Sequence, residues 1–125
     1  MNQSIVALII LLFSAQAFAN DVCSLVVGAT VVGHDGQYLG VVSNRYDSDS
    51  IFNEYGTYGS PYSVTSIWNE YGTYGGQYSL MSPFNPYTST PPVLVIRGNA
   101  IAHLTVNRSI QSAVNPYFLK SCPFY

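Results

Sequence analysis

The chain has 125 residues, 48% of them apolar and only 8% charged, with a formal net charge of −2. That length points to one domain, and the apolar share excludes a disordered polyelectrolyte. With only four Lys and Arg in all, the chain is a poor electrostatic match for nucleic acid or anionic lipid.

Ile5 to Phe13 is an uncharged apolar run, followed by Ala17-Phe18-Ala19, a small-x-small cleavage pattern. Residues 1–19 are therefore read as a cleaved signal peptide, although the segment ahead of the run lacks the usual Lys or Arg. Residues 20–125 form the expected mature domain, secreted or periplasmic. A membrane anchor is the competing reading. The run is shorter than the ~20 residues a spanning helix needs, and no later stretch is as apolar, so no transmembrane span is expected in the mature chain. Cys23 and Cys122 stand at opposite ends of that domain. In an oxidising compartment such a pair predicts a disulfide that closes nearly the whole chain. Asn20-Asp21-Val22 ahead of Cys23 does not fit a lipid-attachment pattern.

Leu25-Val26-Val27 and Thr30-Val31-Val32 are strand-prone. Asp35-Gly36 between two apolar runs predicts a hairpin, with strands at about 29–34 and 37–43. A second hairpin is predicted from Val93–Arg97 and Ala100–Val106, turning at Gly98-Asn99.

Between the hairpins, residues 46–93 hold three copies of a 16-residue unit: YDSDSIFNEYGTYGSP, YSVTSIWNEYGTYGGQ and YSLMSPFNPYTSTPPV. Such a period predicts a local unit that stacks on its own copies. Within a copy, Ser50 to Gly56 reads as one helical turn, with Ser50 as N-cap and Gly56 in left-handed geometry at its end. Ser112 to Tyr117 repeats the Ser-x-x-Asn-x-Tyr pattern after the second hairpin, which suggests a larger duplication. The expected fold is all-β: two related hairpins in one small antiparallel sheet or partly open barrel, with the 16-residue turn repeats packed on it.

The signature Ser-x-x-Asn-x-Tyr-Gly-x-Tyr-Gly, preceded by Asp-Gly-x-Tyr-Leu-Gly, resembles a group of small bacterial proteins with Tyr/Asn/Gly repeats. Asp35 to Gly40 and Tyr46 to Pro92 carry the resemblance, about half of the mature chain. That family has no assigned activity. The resemblance implies a bacterial, exported protein and carries over no catalytic residue.

Asn53, Asn69, Asn85 and Asn115 occupy one repeat position. A row of ligand-binding amides is one reading; the preferred one is that each amide ties down its own loop. Eight tyrosines lie between Tyr46 and Tyr87, with Phe52, Trp68 and Phe84 among them. Phe52, Trp68, Phe84 and about half of the tyrosines are expected in the core. Tyr58, Tyr74 and Trp68 are the expected ligand-binding residues, Tyr58 and Tyr74 heading an exposed patch at loop tips. The Asp47-Ser48-Asp49 stretch offers oxygens to calcium but lacks the glycine of a loop motif, so no metal or other cofactor is expected. His34 and His103 accompany no recognisable nucleophile, and no enzymatic activity is expected. The functional expectation is an exported binding module that uses aromatic side chains on a cell-envelope glycan, a peptide or another envelope protein. The alternative is a self-assembling envelope component without a small ligand.

Overall fold

A computed structural model describes residues 21–124; the signal peptide expected at 1–19 lies outside them. A short helix, α1 (residues 21–26), leads into five strands. These are β1 (Thr30–Val32), β2 (Tyr38–Val41), β3 (Val93–Ile96), β4 (Asn99–Leu104) and β5 (Ala113–Val114), followed by a second helix, α2 (Pro116–Leu119). They form a single sheet in the order β2-β1-β3-β4-β5. Both expected hairpins are present, joined through the antiparallel β1–β3 pair. The sheet is open and mixed, because β5 runs parallel to β4.

Three local readings need correction. Leu25 and Val26 belong to a helix, not a strand. Val22, Cys23 and Val26 fall on its inward side, the Val27 N–H donates to Cys23 O, and Gly28 at φ 85° ends it. The second hairpin turns at Arg97-Gly98, one residue earlier than expected: Ile96 faces Asn99, and both turn residues have positive φ, 54° and 80°. That is the geometry matching strand twist. Ala113-Val114, expected within a turn, adds a strand instead.

Residues 44–88 contain no helix. They form a run of consecutive β-turns. Asp47 N–H donates to Asn44 O, Ser50 to Asp47, Asn53 to Ser50 and Gly56 to Asn53. A four-residue step from Gly56 to Ser60 follows, and the same ladder repeats from Ser60 to Gly76. Four three-residue steps and one of four make up the 16-residue period. In the third copy the Gly76–Ser79, Ser79–Ser82 and Asn85–Thr88 bonds are kept.

Side-chain chemistry explains this path. The first residue of nearly every turn is Ser, Thr, Asn, Asp or Gly. Where it is not glycine, its side-chain oxygen can accept the N–H two residues on: Ser50 from Phe52 (3.0 Å), Asn53 from Tyr55 (3.1 Å), Ser66 from Trp68 (3.1 Å), Asn69 from Tyr71 (3.1 Å), Ser82 from Phe84 (3.0 Å) and Asn85 from Tyr87 (2.9 Å). Such side-chain mimics of a backbone turn compete with helix. Pro61, Pro83 and Pro86 sit at second turn positions, where a fixed φ near −65° fits. Gly56 is not in left-handed geometry. It is the close packing of Ser48 O, 2.9 Å from where its Cβ would be, that favours glycine there.

The core lies between the inner sheet face and the turn coil. Val31, Leu39, Leu94 and Leu104 from the sheet meet Ile51 and Ile67 from the coil, with Val26 and Leu119 from the helices, all buried. Val41 locks coil to sheet: its N–H donates to Asp49 O, and its carbonyl accepts from Ile51 N–H, both at 2.9 Å. Cys23 and Cys122 are joined, bringing α1 beside the segment after α2.

Tyr58 and Tyr74 dock the coil onto the first hairpin. Tyr58 packs edge-on against Tyr38 at 5.0 Å, and the Tyr38 hydroxyl donates to Asp49 (2.9 Å). Tyr74 donates to Asp35 at the hairpin tip (2.6 Å). Partial burial first, and the Asp49 carboxylate second, push the Tyr38 phenol from its ordinary value of 10.0 up to about 12. A proton held more tightly in the folded state adds stability that is complete below pH 10.0 and is lost as pH rises through about 12. In an alkaline absorbance titration, Tyr38→Phe therefore removes a late phenolate step near 12. Persistence of that step in the variant would show that another tyrosine carries it.

Candidate functional site: a tyrosine-flanked aromatic groove

The aromatic residues of the coil fall almost entirely at the third position of a turn, and the two neighbours of each such position decide which way it faces. Phe52, Trp68 and Phe84 stand beside the buried Ile51, Ile67 and Pro83 and are half-buried. They form a continuous ladder. Ring centroids lie 6.1 Å apart from Phe52 to Trp68 and 5.3 Å from Trp68 to Phe84. Phe124 extends it at the Phe52 end (5.8 Å), and Tyr117 at the Phe84 end (5.0 Å). The Trp68 indole N–H donates to Ile51 O (2.6 Å), tying one copy to the next. Lys120 Nζ lies 4.2 Å from the centroid of the same indole.

Two sets of tyrosines stand out from this floor. Tyr46, Tyr62 and Tyr78 begin the three copies; Tyr55, Tyr71 and Tyr87 follow the repeat asparagines. All six are between 79% and 98% exposed. A scattered exposed ring means little, but a contiguous set is informative. Five of these rings, Tyr46, Tyr55, Tyr62, Tyr71 and Tyr78, border grooves. Tyr55 and Tyr62 share one of about 490 Å³ with Phe52, Trp68 and Lys120. Tyr71 and Tyr78 share another of about 570 Å³ with Phe84 and Tyr117. Tyr46 lines a third of about 620 Å³ with Phe52, Phe124, Arg45 and Lys120.

The expectation that Tyr58 and Tyr74 head an exposed patch does not hold, since both are half-buried against the hairpin. The exposed rings are the six others, and Trp68 lies half-buried in the floor between them. Asn53, Asn69 and Asn85 do not form a row of free amides. Each donates through Nδ2 to the carbonyl six residues back, Asp47, Ser63 and Ser79, at 3.2, 3.0 and 3.2 Å. Asn115 differs from the other three: it caps α2 by accepting from Tyr117 N–H (2.8 Å), with Pro116 in the first turn.

Charge is sparse along the grooves. Glu54 lines the Tyr46 and Tyr55–Tyr62 grooves, and Glu70 lines the Tyr71–Tyr78 groove. The neighbouring Glu70 carboxylate raises the Tyr71 phenol above its ordinary value. Away from the grooves, the Tyr74 hydroxyl, and then the Gln37 N–H, hold the Asp35 carboxyl below its ordinary range. His103 Nδ1 is hydrogen-bonded to Gln111 O (2.9 Å), on the sheet and not in the grooves. No group of three His, Cys, Asp or Glu among the described residues could hold a metal ion. Nor is any helix among them long and apolar enough to cross a membrane. No family model matches this chain, and it finds no match among curated proteins or solved structures.

Proposed function

We propose that the protein is an exported binding module whose tyrosine-flanked groove takes an extended glycan. The carrying observation is that six tyrosines are left in solvent while the core is completed by Ile, Leu and Val. Five of them, Tyr46, Tyr55, Tyr62, Tyr71 and Tyr78, share grooves with a floor of four phenyl and indole rings, Phe124, Phe52, Trp68 and Phe84, closed by Tyr117. Flat amphipathic rings suit the C–H faces of sugars, with the phenol hydroxyls left free for sugar hydroxyls. Export is supported by the apolar N-terminal run and by a disulfide, which persists in an oxidising compartment. The resemblance to small bacterial repeat proteins fits the same setting.

Trp68, the sole tryptophan, reports on the groove directly. Titration with neutral β-linked oligosaccharides of increasing length is expected to change its fluorescence, with affinity rising with length until the ladder is covered. Tyr55→Ala and Tyr62→Ala are each expected to weaken binding about tenfold, or ~1.4 kcal/mol. A flat response at every length would remove the glycan reading. If light scattering then showed association rising with concentration, the tyrosine face would be a self-assembly surface instead.

A further inference from the structure

The aromatic ladder, with its separate grooves, has two chemically different ends, and the difference names a feature of the ligand. Following the ladder from Phe124 to Tyr117, the first groove is lined by Arg45, Lys120 and one carboxylate, Glu54, and Lys120 reaches on from it to the central Trp68. The far end, at Phe84 and Tyr117, carries Glu70 and no cation. Two of the chain's four cations thus meet in one groove, while Arg97 sits in the second hairpin turn.

Each cation rests against an aromatic ring. Lys120 Nζ rests 4.2 Å from the Trp68 ring centroid. Arg45 lies 5.0 Å from the Tyr46 ring centroid and donates to the Tyr46 hydroxyl (2.9 Å). A cation held on a ring face keeps its charge and its outward N–H donors. Because its side chain is already placed, a ligand recruits it with less loss of rotamer freedom. The arrangement is a positively charged pair beside an aromatic surface, which fits a sugar ring carrying a carboxylate.

We infer that the Arg45–Lys120 end of the groove binds the carboxylate of an acidic sugar joined to an otherwise neutral glycan. This rests on the glycan reading and adds a direction and a charge to it. Carboxylates on every sugar would not fit, because the chain would run on from the two cations to the groove lined by Glu70 and no cation, where like charges repel.

The test compares three probes on the intact, oxidised protein: a neutral xylo-oligosaccharide, the same oligomer bearing one glucuronic acid, and an oligogalacturonate of similar length. The singly acidic oligomer is expected to bind at least tenfold more tightly than the neutral one at low salt. That preference should shrink in high salt and collapse in both Lys120→Gln and Arg45→Gln, two variants so that a folding defect in one does not decide the matter. The oligogalacturonate should bind more weakly than the singly acidic oligomer, and Glu70→Gln should narrow that gap. Equal binding of the neutral and singly acidic oligomers overturns the acidic subsite and leaves the aromatic groove standing. Tightest binding by the oligogalacturonate also overturns it. Failure of all three to bind removes the glycan reading and the subsite together.

Discussion

Reduction of the Cys23–Cys122 bond is expected to lower the unfolding free energy by about 4 to 5 kcal/mol, the chain-entropy value for a loop of this length. The two cysteines are 99 residues apart, so the bond constrains nearly the whole described chain. A domain of this size has a net stability of only about 5–15 kcal/mol. The reduced protein therefore keeps roughly 0–11 kcal/mol, and at the low end of that range it sits at the edge of unfolding. The bond has a local part as well. It joins α1 to the segment that lays Lys120 on Trp68 and Phe124 on Phe52. Urea unfolding with and without reductant, followed by Trp68 fluorescence and far-ultraviolet dichroism, measures the loss. The Cys23→Ser/Cys122→Ser protein should behave like the reduced one. A shift worth less than ~1 kcal/mol would mean that the coil and sheet hold together without the closure, contrary to the entropic account.

The hairpins were legible because their turns are local chemistry. Asp35-Gly36 places Gly36 at φ 88°, and Asp35 accepts from Gln37 N–H (3.1 Å). The second turn was misplaced by one residue because Gly98-Asn99 and Arg97-Gly98 read alike from sequence. Pairing of Ile96 with Asn99, and of Leu94 with Ala102 on the core side, settles the choice. The α1 and β5 assignments depend on distant partners. Val26 buries against the core, and Ala113 pairs with His103. Nothing within either short segment distinguishes those outcomes from a strand or a turn.

The coil shows how one local signal can stand for two structures. Serine followed by glycine six residues later suits a capped helical turn, and it equally suits two successive β-turns. The discriminating pattern was present in the sequence: a Ser, Asn, Asp or Gly at steps of three with one step of four per copy, an aromatic ring two positions after most of them, and within the coil proline only in between, at 61, 83 and 86. In a helix a strict three-residue period would drift around the axis by about 60° per step, and interior prolines would strain it. Which tyrosines face solvent had a fainter signal. The third copy keeps Tyr78 and Tyr87 but has Thr90 where the others have Tyr58 and Tyr74. At Thr90 the coil is leaving for β3 and has no hairpin to dock on, so the position that loses its tyrosine is the docking one.

Gly75→Ala is expected to cost about 3 kcal/mol, at the upper end of ordinary overpacking penalties. The four-residue step that closes each coil folds its chain back across the segment leading to the repeat asparagine. A Cβ on Gly75 would stand 2.5 Å from Ile67 O and closer still to Asn69 O. Both obstacles are backbone atoms, so no rotamer change relieves them. Gly75 does not occupy the left-handed region, and the penalty is therefore one of space rather than of φ. Gly76 next to it is the internal comparison: a Cβ there would meet Gly72 O at 3.0 Å and Glu70 O at 3.3 Å, contacts that a small shift can absorb. Thermal unfolding should place Gly75→Ala more than ten degrees below the parent, at ~4–8 °C per kcal/mol, and Gly76→Ala clearly above it. Equal shifts in the two variants would mean that the coil gives way as a whole, and that the backbone crossing at Asn69 does not fix its shape. Gly59, which meets Asn53 in the same manner, should respond as Gly75 does. The third copy carries a buried proline, Pro91, in that place, just before β3 begins at Val93. The close crossing thus belongs to the two full coils, whose grooves hold Tyr55 with Tyr62 and Tyr71 with Tyr78. Loosening it is expected to blunt ligand binding along with stability.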